Sequence, residues 1–160
     1  MGLFNWLKKG SEIKKAEFVS PATGKMIPIE QVEDETFASK ILGDGFAVEL
    51  TDGEVIAPFD GEVTAAFPTG HAYGLKREDG LECLIHIGLD TVELNGAGFD
   101  VKVKQGDQVK QGQLLVKVNL EQITGAGKSL VSPIVFSSGA AFTLLKNDSA
   151  VKGEEILHLE

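Results

Sequence analysis

The sequence predicts an all-β fold, an antiparallel β-sandwich or barrel with short helical turns. Nineteen glycines punctuate short apolar runs along the 160 residues, a pattern typical of many strands joined by turns. Several runs alternate strictly, as at 101–104, where the valines face one way and the lysines the other. Short strands at this spacing favour an antiparallel sandwich or barrel.

The individual elements follow from the apolar runs and the turn residues between them. The predicted strands are 25–32, 45–50, 54–59, 62–67, 71–77, 81–87, 100–104, 113–118, 130–136, 141–145 and 155–159. Helix is predicted at two places only. One is a turn or two over 34–42 that Gly43 ends, and the other is a short turn over 119–122 with Asn119 as its N-cap.

Residues 1–17 differ in composition from the rest of the chain. They carry four lysines and two glutamates, a local charge of +2 on a chain of −9. On a helical wheel one side is apolar, formed by Leu3, Phe4, Trp6 and Leu7. We therefore predict a flexible amphipathic segment and linker at 1–17 and one β-sandwich domain at 18–160. Residues 1–10 either dock on that domain or lie on an anionic membrane surface.

Charge and composition exclude several function classes. With 24 acidic against 15 basic residues, the chain repels phosphate backbones, so we expect no nucleic-acid partner. Neither a membrane-spanning run nor a secretory signal peptide is visible. The single cysteine, Cys83, cannot form an internal disulfide, which favours a reducing compartment. We expect a cytoplasmic location, at most peripheral at the inner face of the membrane.

Two short segments resemble each other. The first half-motif is VSPATG at 19–24 and the second is IAPFDG at 56–61. Each has an apolar residue, a proline two positions later and a closing glycine. A strand followed by proline and glycine is also common punctuation, so the sequence alone leaves the relation between the half-motifs open.

The histidines are the chemically informative residues. His86 interrupts the apolar run 83–89, and His71 follows the turn signal at 68–70. Asp79 and Gly80 between them form a strong hairpin signal. Each histidine lies seven or eight residues from that turn, so the two side chains are expected to meet across the hairpin. The third histidine, His158, alternates onto the surface of the last strand, and we assign it no role.

Two neighbouring imidazoles allow three kinds of chemistry. They can ligate a metal together, although a zinc site needs at least a third protein ligand. They can act as a nucleophile and its partner in phosphoryl transfer, or they can form a structural pair. Cys83 alternates to the face opposite His86 and is predicted to be a core residue.

Two blocks of the sequence contain the neighbouring histidines, and they are FPTGHAY at 67–73 and GLECLIHIGLDTVEL at 80–94. The second block resembles the phosphorylation-site signature of the glucose-type IIA component of the bacterial phosphoenolpyruvate-dependent sugar phosphotransferase system. The first block resembles the segment of that family's second active-site histidine. Further blocks are similar in the same order, and they are DETFASKILGDGFAV at 34–48, VIAPFDG at 55–61 and GDQVKQG at 106–112. The resemblance extends from about residue 18 to the C-terminus.

The resemblance implies a role for particular residues. His86 matches the histidine phosphorylated on Nε2, His71 the partner that hydrogen-bonds the phosphoryl group, and Thr69 a supporting threonine. Six positions match the rim and the apolar depression where partners dock, and they are Asp34, Ile41, Leu42, Phe67, Leu84 and Asp90. The family takes its phosphoryl group from phospho-HPr and passes it to a cysteine of a IIB domain, without a cofactor of its own.

The chain departs from the family pattern at two positions. Cys83 stands where a larger aliphatic residue is usual, and we expect only a packing change. Gly70 stands where a polar residue is often found, which is expected to alter a hydrogen bond or loosen the loop before His71.

Two other classes share single motifs with the chain. The sequence 86–90 fits the His-x-Gly-x-Asp motif of lysostaphin-type zinc peptidases, but those enzymes also need a His-x-His pair, and none is present. The turn at 106–112 also occurs in lipoyl and biotin carriers, but Lys25-Met26 is a poor match to their modified lysine.

The resemblance also implies a regulatory role. In the family, the phosphorylation state of this component controls permeases and metabolic enzymes through the same surface. A related hypothesis is a zinc site shared between proteins, in which His71 and His86 join a carboxylate of the partner. The sugar is not encoded in this component.

Overall fold

The computed structural model describes residues 16–160, which form thirteen strands, two short α-helices and two 3-10 turns. The strands are β1 (Gly24–Pro28), β2 (Asp44–Leu50), β3 (Glu54–Ile56), β4 (Gly61–Ala66), β5 (Ala72–Lys76), β6 (Glu82–His86), β7 (Phe99–Val101), β8 (Gln108–Val109), β9 (Leu114–Val118), β10 (Val131–Phe136), β11 (Phe142–Leu144), β12 (Ser149–Ala150) and β13 (Leu157–Leu159). The helices are α1 (Glu35–Ala38) and α2 (Leu120–Gly125), and the 3-10 turns are Ile29–Gln31 and Thr91–Leu94.

The strands form three sheets in which every pair is antiparallel. The largest has eight strands in the order β12-β1-β2-β10-β6-β5-β4-β8. A three-stranded sheet, β3-β9-β7, and a two-stranded sheet, β11-β13, complete the fold. The architecture is the predicted all-β one.

The main core lies between these sheets. Alternate residues of the large sheet, such as Phe46 and Ile85, share one buried cluster with Val116 of β9 and Leu157 of β13. Strands with period-2 alternation present one apolar face to this core, which accounts for the alternation in the sequence. A second cluster covers part of the outer face of the large sheet and includes Phe37.

The structure shifts several predicted boundaries. The first predicted strand, 25–32, ends at Pro28 because Ile29–Gln31 turns into a 3-10 helix. The predicted helix 34–42 is only Glu35–Ala38, with Asp34 capping its N-terminus and accepting the amide N–H of Thr36 at 3.0 Å. The chain leaves this helix through Lys40, whose φ is 65°. The second helix runs longer than predicted, and Asn119 is its N-cap, as expected.

The β5–β6 hairpin positions both candidate histidines. Its turn is held by Asp79, whose two carboxylate oxygens accept Nε and Nη2 of Arg77 at 2.9 and 2.8 Å. Gly80 has a φ of 98°, which the turn requires and which L residues rarely adopt. The predicted Asp-Gly turn is therefore present, and it fixes a register in which Ala72 is opposite His86.

The two half-motifs contact each other reciprocally. The amide of Val19 donates to the carbonyl of Pro58 at 3.1 Å, and the amide of Ile56 donates to the carbonyl of Pro21 at 2.9 Å. Both bonds join the first position of one half-motif to the third position of the other. The second positions behave alike, because the carbonyls of Ser20 and Ala57 accept the amides of Gly153 and Gly112. The likeness in sequence is therefore matched by an approximate twofold relation in structure.

Tyr73 places an unpaired hydroxyl in the core. Its side chain is fully buried, and the hydroxyl has no hydrogen-bond partner within residues 16–160. Burial raises the pKa of Tyr73. A buried unpaired polar group costs about 1–3 kcal/mol. We therefore expect Tyr73→Phe to raise the free energy of unfolding by about 1 kcal/mol, measured by urea denaturation. A loss of stability would contradict this assignment.

The predicted amphipathic segment, residues 1–10, and its linker to residue 15 lie outside the described residues. Phe18 is already fully buried in the main core. In the described part of the chain, 16–160, none of the helices has the length and apolar character needed to cross a membrane.

Candidate functional site

His86 is the last residue of β6 and lies on the outer face of the large sheet. Leu84, two residues earlier on the same face, packs against the second core cluster. The ring of Phe37 from α1 meets the His86 ring edge-on, with 5.1 Å between centroids. The imidazole is half-buried, with an aromatic wall on the side of α1.

The hydrogen bonding of His86 fixes its tautomer. Nδ1 lies 2.8 Å from the carbonyl oxygen of Gly88. Because a carbonyl oxygen only accepts, Nδ1 carries the hydrogen in the neutral ring. Nε2 therefore keeps its lone pair, and a nucleophile or a metal ligand needs such a nitrogen.

His71 immediately precedes β5 and faces His86 across the hairpin. The two ring centroids are 5.2 Å apart with an interplanar angle of 76°. Only 5 % of His71 is exposed. Nδ1 of His71 lies 2.6 Å from the hydroxyl of Thr69, and Phe67 meets the ring edge-on at 5.2 Å. The turn 67–71 thus brings Thr69 and Phe67 to the same imidazole.

Gly70 is closely packed, contrary to the expectation of a loosened loop. Its φ is 74°, and a β-carbon there would lie 2.7 Å from Cβ of Phe99 and 2.9 Å from Cγ2 of Val101. Its amide donates to the carbonyl of Phe67 at 2.7 Å. A side chain at this position would push the turn away from β7, so glycine lets the loop before His71 pack tightly.

Both imidazoles are held in their neutral form. Burial lowers the pKa of His71 below 6.5, and the charge of a protonated His86 lowers it further. Burial also lowers the pKa of His86, opposed by the hydrogen bond to Gly88 and by the carboxylates of Asp34 and Asp90. At pH 7 the neutral form of His86, which presents its Nε2 lone pair, therefore predominates.

These shifts predict how stability depends on pH. Below pH 6.5 the unfolded chain binds protons at histidines 71 and 86 that the folded chain does not bind. The free energy of unfolding should therefore fall as the pH drops below 6.5 toward the lower pKa values of the folded state. Urea denaturation at pH 7.5, 6.5 and 5.5 measures this slope, and His86→Gln should reduce it. NMR titration of either ring above pH 6.5 would contradict the prediction.

The two predicted acidic residues flank His86 from different loops. Asp34 is half-buried at the N-terminus of α1, and Asp90 is exposed beyond the end of β6, with a φ of 60°. The carboxylates of both act on the charge of the His86 ring. The structure therefore brings both acidic side chains to the surroundings of the two histidines.

The predicted apolar positions differ in their exposure. Phe67 is 46 % exposed while touching His71, and Leu84 is half-buried beside His86. Ile41 and Leu42 are 77 % and 37 % exposed in the turn that follows α1. An exposed apolar side chain beside a reactive group, as Phe67 is, is typical of a surface that partners cover transiently.

Sequence reasoning missed two contributors to the site. Phe37 lies in the predicted helix but was not expected to contact His86, because only the packing of α1 on the sheet brings it there. The carbonyl of Gly88 was missed as well, although the His-x-Gly spacing at 86–88 is a signal that could have indicated it. Cys83 is buried in the main core, as predicted.

The described residues 16–160 include no group of three or more His, Cys, Asp or Glu side chains that could hold a metal ion. The two histidines could supply two ligands only, so a metal here would need further ligands from elsewhere. The chemistry that the site supports by itself is that of a neutral nucleophilic imidazole beside a second imidazole.

Comparison with known proteins gives one consistent result. A family model described as the phosphoenolpyruvate-dependent sugar phosphotransferase system, EIIA 1, matches residues 16–142. The glucose-specific EIIA component of Staphylococcus aureus (strain COL) is 45 % identical over 150 residues, covering 91 % of this chain and 90 % of that protein. That of Staphylococcus epidermidis (strain ATCC 12228) is 47 % identical over 131 residues, covering 81 % and 79 %.

A solved structure agrees with these sequences. The glucose permease IIA from Mycoplasma capricolum superposes with a TM-score of 0.83 at 38 % identity, covering 91 % of this chain and 96 % of that one.

Proposed function

We propose that this chain, which belongs to the EIIA 1 family of the phosphoenolpyruvate-dependent sugar phosphotransferase system, carries a phosphoryl group on Nε2 of His86. The donor is phospho-HPr and the acceptor is a cysteine of a IIB domain. The bond between phosphorus and the histidine of HPr breaks as a bond to Nε2 forms, and in the second step that bond breaks as a bond to sulfur forms.

One observation supports Nε2, and not Nδ1, as the phosphorylated nitrogen of His86. The hydrogen bond from Nδ1 of His86 to the carbonyl of Gly88, 2.8 Å long, leaves Nε2 as the nitrogen with a free lone pair. Burial lowers the pKa of the ring, so this lone pair is available at neutral pH. Phosphoryl transfer needs a positioned nucleophile and donors for the equatorial oxygens more than further covalent chemistry.

His71 is the proposed donor to the phosphoryl oxygens. When the hydroxyl of Thr69 donates to Nδ1 of His71, across 2.6 Å, the hydrogen of that ring stands on Nε2. That N–H is then free to hydrogen-bond a phosphoryl group on the neighbouring His86. Thr69 thus acts through His71, as a supporting group that sets its tautomer.

The surroundings suit a labile phosphohistidine that must meet two partners in turn. Phe37 and Phe67 form aromatic walls against the two imidazoles, which limits attack by water. The exposed side chains of Ile41, Leu42 and Phe67 offer an apolar contact. The carboxylates of Asp34 and Asp90 favour a basic contact face on the partner. We propose this combination as the docking surface for HPr and for IIB.

The sugar is proposed from the relatives. The staphylococcal proteins and the Mycoplasma structure are named for glucose, so we infer a glucose permease as the first IIB domain to test. Transfer to the IIB domains of other sugar permeases measures how selective the acceptor step is.

The proposed function is tested by phosphorylation of the whole chain. The purified protein is incubated with phosphoenolpyruvate, enzyme I and HPr, and its intact mass is measured before and after acid treatment. We expect the mass of one phosphoryl group, lost in acid and absent when HPr is omitted. No mass gain with HPr that is itself phosphorylated would contradict the proposal.

Residues 1–10 are proposed to bind an anionic membrane surface. The part of the chain that the structure describes begins beside Arg77 and Gln111, which donate to the carbonyls of Glu17 and Ala16 at 3.0 and 2.8 Å. Arg77 lies at the turn end of β5, whereas His71 lies at the other end, so binding at residues 1–10 need not cover the site. Sedimentation with anionic vesicles, but not with zwitterionic ones, should be lost when residues 2–10 are removed. Equal sedimentation of the full chain with both would contradict this.

Zinc is proposed only at an interface with a regulatory partner. Two imidazoles with centroids 5.2 Å apart can supply two ligands, and the Gly88 carbonyl on Nδ1 resembles the outer-shell partner of a metal-bound histidine. A carboxylate of the partner would complete the site. The affinity of such a partner should rise with zinc and be insensitive to zinc in His71→Gln. Affinities that zinc never changes would end this hypothesis.

A further inference from the structure

Hydrogen bonds anchor each of the three peptide groups between His86 and Leu89, in the loop that follows β6. Residues 87–89 leave β6 and lead into the 3-10 turn Thr91–Leu94. The amide of Ile87 donates to the carbonyl of His71 at 2.7 Å, and the amide of Leu89 donates to the carbonyl of Ser129 at 3.3 Å. The Gly88 carbonyl, in the same peptide group as the Leu89 amide, points instead to His86.

The peptide group between Ile87 and Gly88 is held at both ends by buried hydroxyls. The hydroxyl of Thr91 donates to the carbonyl of Ile87, and the amide of Gly88 donates to the hydroxyl of Ser132 at 3.0 Å. Thr91 is 0 % exposed and Ser132 is 2 % exposed. Neither bond belongs to a strand or a helix. The two side chains therefore supply the hydrogen bonds that backbone groups of a strand or helix would supply elsewhere in the fold.

The orientation of the Ser132 hydroxyl is set as well. It donates to the carbonyl of Leu130 at 3.0 Å, so a lone pair is left to face the Gly88 amide. Ser132 belongs to β10, 44 residues from Gly88 in sequence. Its position therefore depends on the large sheet and not on the loop that it holds.

Gly88 leaves the loop dependent on these anchors. Its φ is 73°, and a β-carbon would lie 2.6 Å from both the carbonyl oxygen of Ser129 and Cγ2 of Thr91. Glycine fits here, but its backbone is also the least restricted of all residues. Without the hydroxyls of Thr91 and Ser132, the carbonyl of Gly88 would be free to rotate away from Nδ1 of His86.

We propose that Ser132 and Thr91 are positioning residues that hold the Gly88 carbonyl on Nδ1 of His86 and thereby keep Nε2 unprotonated. This inference rests on the proposed function, because it matters for phosphoryl transfer only if Nε2 is the nucleophile. Neither side chain needs to touch the phosphoryl group. They act through one peptide group and the carbonyl that follows it.

The variants for the test are chosen to separate positioning from stability. Thr91→Val removes a hydroxyl at nearly constant shape, and Thr91→Ser keeps it. Ser132→Ala removes the other hydroxyl. Ser20→Ala is the matched control, because Ser20 is equally buried and its hydroxyl donates to the carbonyl of Ala22 within its own segment.

The direct readout is the tautomer of His86, taken from the 15N chemical shifts of its ring in the full chain. We expect Thr91→Val and Ser132→Ala to move hydrogen from Nδ1 toward Nε2. We also expect them to slow phosphate acceptance roughly ten- to a hundredfold, by analogy with the groups that orient metal-bound histidines. Thr91→Ser should restore both. Ser20→Ala should lower stability without changing either.

Two results separate the inference from the proposed function. If Thr91→Val and Ser132→Ala lose stability as Ser20→Ala does but keep the wild-type tautomer and rate, the positioning role is overturned. If the wild-type chain accepts no phosphate, the proposed function fails, whereas the nitrogen shifts still decide whether the two hydroxyls set the tautomer. Should one variant fail to fold, the other hydroxyl gives the same comparison.

Discussion

His86→Ala should accept no phosphoryl group from phospho-HPr. The substitution removes the nitrogen that the hydrogen bond to Gly88 leaves unprotonated, and we expect no replacement by His71, because only 5 % of that residue is exposed. The intact mass of the variant should remain unchanged in an assay that fully phosphorylates the wild-type chain. The expected effect is a complete loss rather than a reduced rate.

The matched control for this prediction is His158→Ala. His158 lies on the exposed face of β13, in the two-stranded sheet away from the hairpin that carries the other histidines. This variant should gain one phosphoryl group as the wild-type chain does. If His86→Ala were phosphorylated, the phosphorylation site would be another residue, and the prediction would be wrong. Peptide mapping under alkaline conditions would identify that residue.

The meeting of the two histidines could be predicted because it depends on local structure. The Asp79-Gly80 turn lies midway between them, and a short hairpin leaves few registers. The structure has Ala72, not His71, opposite His86, yet the two rings still approach to 5.2 Å. The two helices could also be predicted from local signals, because Asp34 and Asn119 do cap their N-termini. The residues at which the helices end were predicted less accurately.

The rest of the site depends on contacts between distant parts of the chain. Phe37 reaches His86 from 49 positions away, and Ser132 reaches Gly88 from 44. The apolar periodicity of one sequence does not indicate which distant strand pairs with β6. The serine at 132 is indistinguishable by pattern from any other serine in a strand. Only the sheet order, with β10 next to β6, gives it a place near the nucleophile.

The two half-motifs also needed the structure before their relation could be judged. Their likeness was visible in the sequence, but a proline and a glycine after a strand are too common to prove a relation. The reciprocal bonds between Val19 and Pro58 and between Ile56 and Pro21 supply what the pattern lacked. A separate hydrogen bond joins the block at 106–112 to the second half-motif, because the amide of Gly112 donates to the carbonyl of Ala57. That block therefore has a structural role in this fold.

His71→Gln should separate the two halves of the transfer reaction. Acceptance depends mainly on the Nε2 lone pair of His86, which the Gly88 carbonyl still fixes in this variant. Transfer to the IIB cysteine needs charge on the phosphoryl oxygens to be stabilised as the bond to His86 breaks. An imidazole can do this with an N–H aligned by Thr69 and can also take up a proton. The amide of glutamine has N–H groups as well, but Thr69 does not align them and the amide cannot become protonated.

We therefore expect near-normal phosphorylation of His71→Gln by phospho-HPr and transfer to IIB slowed by about 10²–10³-fold, the usual effect of removing one aligned donor. Single-turnover measurements of each step, with the phosphorylated variant isolated first, give the two rates separately. Thr69→Val is the companion variant, because it keeps the imidazole and removes only the group that orients it, so its transfer rate should fall less. Equal losses in both steps of His71→Gln would mean that His71 also shapes the ground state of His86. The ring contact at 5.2 Å would then matter more than the hydrogen bond to the phosphoryl group.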